Sequence, residues 1–170
     1  GIADTAGRSG EASVRKSKSG IMVKGIHDLA VRFSKCCNPV PGDEIVGFVT
    51  RGRGVSIHRT DCVNIINLPE DERSRMIDAE WQMAEGAGSN EQYSTEIKIF
   101  ANNRIGMFAD ISKVFTEKQI DITSMNVRTS KQGKATIIMT FDIHGTDELN
   151  RLTDKIRQIE GVLDIERTTG

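Results

Sequence analysis

Cys36, Cys37, His58 and Cys62 put three thiols and an imidazole into one stretch of the chain. Zinc accepts this donor set as a closed tetrahedral site. His58 and Cys62 are four residues apart, so at the start of a helix both would point to one side. Cys36 and Cys37 are adjacent, and in a strand their side chains would face opposite ways. Joint ligation therefore needs a bend, which Asn38-Pro39 supplies, because proline restricts its neighbour and ends regular pairing. The spacing is not a C-x₂-C knuckle. A structural zinc site, a redox-sensitive thiol pair, and small buried residues with His58 bonded to a turn all stay open. Catalysis is not expected. Four protein ligands leave no position for substrate, and nothing nearby resembles an acyl-transfer site.

Charge marks a second candidate. Between residues 21 and 68 the cations Lys24, Arg32, Lys35, Arg51, Arg53 and Arg59 outnumber Asp28, Asp43, Glu44 and Asp61, six against four. Arg51 and Arg53 flank Gly52 at the tip of an expected hairpin, where guanidinium groups can reach phosphates. Lys35 and Arg59 lie beside the Cys/His residues. Composition does not separate such a contact from a solvated loop. A third candidate is the turn Asn102-Asn103-Arg104-Ile105-Gly106-Met107, between a strand and a helix. Gly106 allows close approach there, and free amides at a helix start can hold a carboxylate. His27-Asp28 lacks the partners of a His-Asp hydrolase, and His144 at a strand end needs no special role.

The elements that must position these groups form two sets. Residues 1–20 are polar and Gly/Ser-rich, and are expected to be a flexible linker in a piece of a longer chain. Residues 21–82 read as short strands and turns. Strands are expected at 21–24, 29–33, 45–50, 55–58 and 77–81, with a helical turn or two from Cys62 to Leu68 that Pro69 stops. Residues 83–92 are a second Gly-rich linker. From 93 to 170 the rhythm changes. Ile97, Ile99 and Ala101 alternate as a strand; Phe108, Ile111 and Phe115 follow at helical spacing, with Asn103 placed to cap that helix. Met125 and Val127 mark a strand, Gln132-Gly133 a hairpin turn, and Ala135, Ile137, Met139, Phe141 and Ile143 alternate almost without fault. Leu149, Leu152, Ile156 and Ile159 form a helical stripe, opened by Thr146 and closed by Gly161; Leu163 and Ile165 end in a strand. The order β-α-β-β-α-β is a ferredoxin-like split βαβ unit, so the fold class is α+β: a small β-rich Cys/His module followed by that unit.

Composition limits the function classes. A net charge of −1 argues against wholesale nucleic-acid binding, and 37% hydrophobic residues with few aromatics imply a core of Ile, Val, Leu and Met. No apolar run approaches the ~20 residues of a membrane span and no signal peptide is apparent. Three cysteines make a poor disulfide framework and suit a reduced cytoplasmic setting.

The run from Val31 through Cys36-Cys37-Asn38-Pro39 to Asp43, then Gly47 to Arg59 and Asp61-Cys62, closely resembles the conserved-cysteine module of long RelA/SpoT homologues, also called the zinc-finger or ribosome-intersubunit domain. The unit after it looks like the ACT domain of the same proteins, although Asn103 stands where an acidic residue is common in that turn. The resemblance implies a regulatory region without a catalytic centre, in a parent enzyme that makes (p)ppGpp from GTP or GDP and ATP and in many cases hydrolyses it. It implies contact with ribosomal RNA through Lys35, Arg51, Arg53 and Arg59, sensing of deacylated tRNA on the ribosome, and relay to N-terminal catalytic domains. It also implies ACT-mediated homodimers and, as an alternative role, binding of a branched-chain amino acid near Asn102, Asn103, Ile105, Gly106 and Met107.

Overall fold

A computed structural model describes residues 21–23, 30–52, 54–82 and 91–169. Residues 1–20, most of the second expected linker, His27-Asp28 and Arg53 lie outside the described residues, as do Lys24 and Leu29 of the expected strands. The chain forms two compact units, and the short segment Val40–Gly42 belongs by its contacts to the second.

The first unit is a four-stranded mixed sheet with a two-stranded ribbon. Strand β3 (Ile45–Val49) and β4 (Val55–Arg59) form an antiparallel hairpin. Its tip is closed by Thr50, whose amide donates to Gly54 O at 2.8 Å and whose hydroxyl donates to the same carbonyl at 3.1 Å. Strand β2 (Val31–Phe33) lies parallel to β4, and β5 (Met76–Ile77) lies antiparallel to β3. The sheet order is β2-β4-β3-β5. β1 (Ile21–Val23) pairs with β6 (Ala79–Trp81) in the ribbon.

The single closing strand expected at 77–81 is thus two strands. β5 serves the large sheet, β6 serves the ribbon, and exposed Asp78 marks the change of partner. Pairing with separate strands, which no local pattern encodes, makes the division. Val55, Ile57, Ile21 and Ala79 are buried between the sheets, with Phe33 stacked on Trp81 at 5.5 Å. On the other side of the large sheet the short helix α1 (Val63–Ile66) brings Ile65 onto Cys37 and Cys62. A 3-10 helix, Glu70–Arg75, follows Pro69; its acids come first and its bases last, matching the helix dipole.

The second unit has the antiparallel order β10-β7-β9-β8. β7 (Tyr93–Asn102) and β9 (Lys134–Ile143) are the long central strands, paired from Tyr93↔Ile143 to Asn102↔Lys134. β8 (Ile122–Thr129) and β10 (Val162–Arg167) are the edges. Helices α2 (Met107–Glu117) and α3 (Thr146–Arg157) cover one face. The alternation in β9 is the reason: Ala135, Ile137, Met139, Phe141 and Ile143 all point into a core shared with Met107, Ile111, Phe115, Leu149, Leu152 and Ile156. This is the α+β class, with the β-α-β-β-α-β order expected.

Three caps differ from expectation. Asn103 does not cap α2; Gly106 does, in the left-handed region at φ 82. A Cβ is tolerated poorly at such an angle, so glycine starts the helix where no side chain bonds to it. At its other end α2 closes as a Schellman motif, with Gln119 at φ 57, Ile120 N donating to Phe115 O at 2.9 Å and Gln119 N donating to Thr116 O at 3.1 Å. In α3, Thr146 is the first helical residue after the cap Gly145. The helix ends at Gln158, so Gly161 at φ 96 serves the turn into β10 instead. Among the described residues no helix is long and apolar enough to cross a membrane.

Candidate metal centre

Cys36 and Cys37 occupy the turn that follows β2, and this turn solves the problem of adjacent cysteines. Asn38 N donates back to Ser34 O at 3.0 Å, and Asn38 itself takes φ 48. Asparagine is one of the few residues that enters this region readily. The curled backbone turns both thiols to one side. His58 arrives from β4 and Cys62 from the N-cap of α1. His58 is therefore a strand residue, and the helical i, i+4 geometry expected for His58 and Cys62 does not apply. They meet because the chain turns sharply at Thr60-Asp61, where Thr60 N donates to Glu44 O and Cys62 N donates to Arg59 O, both at 3.0 Å.

The four donor atoms lie within 4.8 Å of one another. Cys36 Sγ is 3.4 Å from Cys62 Sγ, 3.4 Å from His58 Nδ1 and 4.0 Å from Cys37 Sγ; Cys37 Sγ is 3.9 Å from His58 Nδ1. A tetrahedron with metal–sulfur bonds near 2.3 Å and metal–nitrogen bonds near 2.0 Å has S···S edges of about 3.8 Å and S···N edges of about 3.5 Å. The donor set can hold one metal ion with little movement.

Neighbouring groups orient the donors. Ser56, two residues before His58 on the same face of β4, has its Oγ 3.1 Å from Nε2. With Nε2–H donating to that oxygen, the lone pair of Nδ1 faces the thiols. Arg59 N donates to Cys37 Sγ at 3.3 Å, and Ser34 Oγ lies 2.8 Å from Cys36 Sγ. Burial pushes the Cys37 thiol far upward and raises Cys62, which the bond to Cys36 raises further. At Cys36 burial acts the same way but is outweighed by hydrogen bonds from Ser34, Asn64 and the other thiols, so its pKa is lowered. Burial lowers His58, keeping it neutral. A divalent cation would compensate for crowding thiolates in so dry a place.

The cations expected to face RNA separate into two kinds. Arg51 is 86% exposed at the hairpin tip, with Glu72 Oε1 at 4.0 Å, and Lys35 is exposed beside the cysteines. Arg59 is only 6% exposed. Its Nη1 donates to Cys37 O at 3.2 Å and its Nη2 pairs with Asp61 at 2.5 Å. Arg59 braces the cysteine turn and is withdrawn from the surface. Ser34 and Ser56, which support the donors, were not singled out from sequence; each stands two residues before a candidate ligand, and that spacing is the signal for them.

In the second unit, Asn102, Asn103, Ile105 and Gly106 are exposed around the turn, and Ile105 completely so. Met107 points its side chain into the core. Asn102 Oδ1 accepts from Lys134 Nζ at 2.7 Å. Arg104, outside the expected set, organises the turn. Its Nε donates to Glu160 O at 2.8 Å, Nη1 to Ile105 O at 3.0 Å and Nη2 to Asp110 Oδ2 at 2.8 Å.

Family models match both parts of the chain. A profile of the RelA/SpoT RIS domain matches residues 21–82, and a profile of an ACT domain matches residues 89–167. The chain is 36% identical over 156 residues to the GTP pyrophosphokinase of Escherichia coli (strain K12), covering 91% of this chain and 20% of that protein. It is 37% identical over 150 residues to the GTP pyrophosphokinase of Streptomyces coelicolor, covering 88% of this chain and 17% of that protein. The chain thus spans a fifth or less of the length of these relatives. The crystal structure of the ACT domain from the GTP pyrophosphokinase of Chlorobium tepidum is similar over 45% of this chain and 99% of its own, at 27% identity and a TM-score of 0.41. With a RIS domain followed by an ACT domain, and GTP pyrophosphokinases sharing both at this identity, the chain belongs to the RelA/SpoT family.

Proposed function

We propose that this chain is the non-catalytic regulatory region of a cytoplasmic GTP pyrophosphokinase, in which the RIS domain contacts ribosomal RNA and passes the state of the ribosome and its uncharged tRNA to catalytic domains elsewhere in the protein. The observation that carries this reading is the donor cluster. Cys36, Cys37, His58 and Cys62 fill a tetrahedral site completely, so the site is scaffold. When bound, a zinc ion would supply structural cross-linking there. What the scaffold presents is the hairpin tip with exposed Arg51, and Arg53 two residues on in sequence, together with Lys35. Guanidinium groups on an open tip suit phosphate contacts. The test is ribosome co-sedimentation of the full-length protein carrying Arg51→Glu and Arg53→Glu. Loss of association at physiological salt is expected, and unchanged association overturns the RNA reading. Metal analysis of protein purified without added zinc should find one equivalent, lost in Cys62→Ala.

A second reading concerns the ACT domain as a homodimeric amino-acid sensor. The exposed edge strand β8, with Met125 38% and Val127 37% exposed, favours pairing of two copies. The turn at Gly106, with its exposed backbone and the start of α2, favours a small carboxylate. Calorimetry with valine or isoleucine decides it: heat at millimolar ligand supports a branched-chain amino acid, and silence removes it.

A further inference from the structure

The cysteine cluster has a reactivity that a closed metal site leaves unused. Cys36 Sγ and Cys62 Sγ are 3.4 Å apart although 26 residues separate them in the chain. A disulfide needs about 2.05 Å, so the two sulfurs must close by little more than 1 Å, a side-chain adjustment. Cys37 is a poorer partner for Cys36. Its sulfur lies at 4.0 Å, and joining adjacent residues would close a strained small ring through their shared peptide bond.

Access separates the three thiols as well. Cys37 is 1% exposed and Cys62 is fully buried, whereas Cys36 is partly open at the turn after β2. The pair therefore divides into a sulfur that a small oxidant can reach and a buried sulfur that lies against Cys36. Ser34 Oγ at 2.8 Å from Cys36 Sγ stands ready to hydrogen-bond a charged sulfur.

We propose that Cys36 and Cys62 form an oxidation site for peroxides, Cys36 being the sulfur attacked and Cys62 the one that resolves it into an intramolecular disulfide. The chemistry balances in two steps. The Cys36 thiolate attacks one peroxide oxygen; an S–O bond forms, the O–O bond breaks, and the departing hydroxide takes up the Cys36 proton as water. Cys62 sulfur then attacks Cys36 sulfur; the S–S bond forms, the S–O bond breaks, and the second hydroxide leaves as water with the Cys62 proton. Two electrons pass from the thiols to the peroxide, and a dithiol reductant reverses the change.

The disulfide and a metal ion exclude each other, because the bond removes two of the four donors. In metal-loaded protein each disulfide formed should release one metal ion. The proposal does not depend on the metal reading, since the metal-free chain tests the disulfide alone.

The experiment treats the chain with hydrogen peroxide, metal-free and zinc-loaded, beside glutathione as a reactivity standard. Remaining thiols are then alkylated and peptides mapped by mass spectrometry, with zinc release followed by a chromogenic chelator. A Cys36–Cys62 cross-link with Cys37 alkylated is expected, with one zinc released per cross-link in the loaded form. A Cys36→Ser variant, at a partly open position, should keep both Cys37 and Cys62 alkylatable; Trp81 fluorescence checks that it is folded. Cross-linking of Cys36 to Cys37, interchain disulfides alone, or three intact thiols after glutathione has been consumed would each overturn the proposal. Oxidation of Cys62 in Cys36→Ser would overturn the assigned order.

Discussion

Where the Cys36–Cys37–His58–Cys62 site carries a metal ion, stripping it should lower the thermal midpoint of the RIS domain and leave that of the ACT domain unmoved. Among the described residues the buried apolar side chains of the RIS domain are few: Ile21, Val55 and Ile57 with Ala79 between the sheets, and Ile65 beside the cysteines. A core this small supplies little stability by itself, and domains of this size commonly rely on metals or disulfides. Binding that favours the folded state adds about 4 kcal/mol when free metal exceeds its dissociation constant a thousandfold. For a domain of roughly 60 residues each 1 kcal/mol moves the midpoint by about 4–8 °C, so chelation should lower it by about 15–30 °C.

The assay is built into the sequence. The chain has one tryptophan, Trp81. It stacks on Phe33 at 5.5 Å and donates from Nε1 to Asp43 O at 3.0 Å, so its fluorescence reports this domain. Thermal melts with and without a strong chelator, followed by Trp81 emission, should show the shift, while far-ultraviolet circular dichroism retains an unmoved ACT transition. If protein shown to carry one metal equivalent gives the same Trp81 midpoint after complete chelation, the scaffold role of the cluster is refuted.

Other outcomes are expected in the ACT domain. Phe141 is fully buried and meets Phe115 edge-on at a 5.0 Å centroid distance, so Phe141→Ala should cost about 3–5 kcal/mol in denaturant unfolding. Tyr93, the single tyrosine, is pushed up to about 12 by burial and by the Glu91 carboxylate that accepts its hydroxyl at 2.9 Å. An ultraviolet titration should show that midpoint in the folded chain. Because the unfolded phenol ionises near pH 10, the folded state holds the extra proton between the two values and stability should fall as pH rises past about 10. Gly106→Ala places a Cβ at φ 82 with its nearest neighbour, Arg104 Nη1, at an unstrained 3.6 Å. Its cost is therefore backbone strain alone, about 1–2 kcal/mol in a thermal melt.

How much could be read before the structure differed between the domains for a physical reason. In the ACT domain each element carries its own period. Ile137, Met139 and Phe141 alternate, and Ile111 and Phe115 recur at a helical turn, so each element shows which face it buries. Caps were less legible, because Asn103 and Gly106 both suit a helix start and only the path of the chain chooses between them. In the RIS domain the strands are short, and what matters is which strand each one meets. The parallel pairing of β2 with β4, and the exchange of sheets between β5 and β6, depend on partners far away in sequence.

The donor cluster divides along the same line. Residue types alone supplied the inventory of three thiols and an imidazole, and proline after Asn38 foretold a bend. Only the folded chain decided that the bend would be a turn with Asn38 at φ 48, that His58 would come from a strand, and that Arg59 would be buried beneath the cysteines. Arginine is ordinarily a surface residue, so nothing in its identity marks the one whose guanidinium is tied to Cys37 O and Asp61. A period is written in neighbouring residues; a meeting of His58 with Cys36, 22 residues apart, exists only after the strands between them have paired.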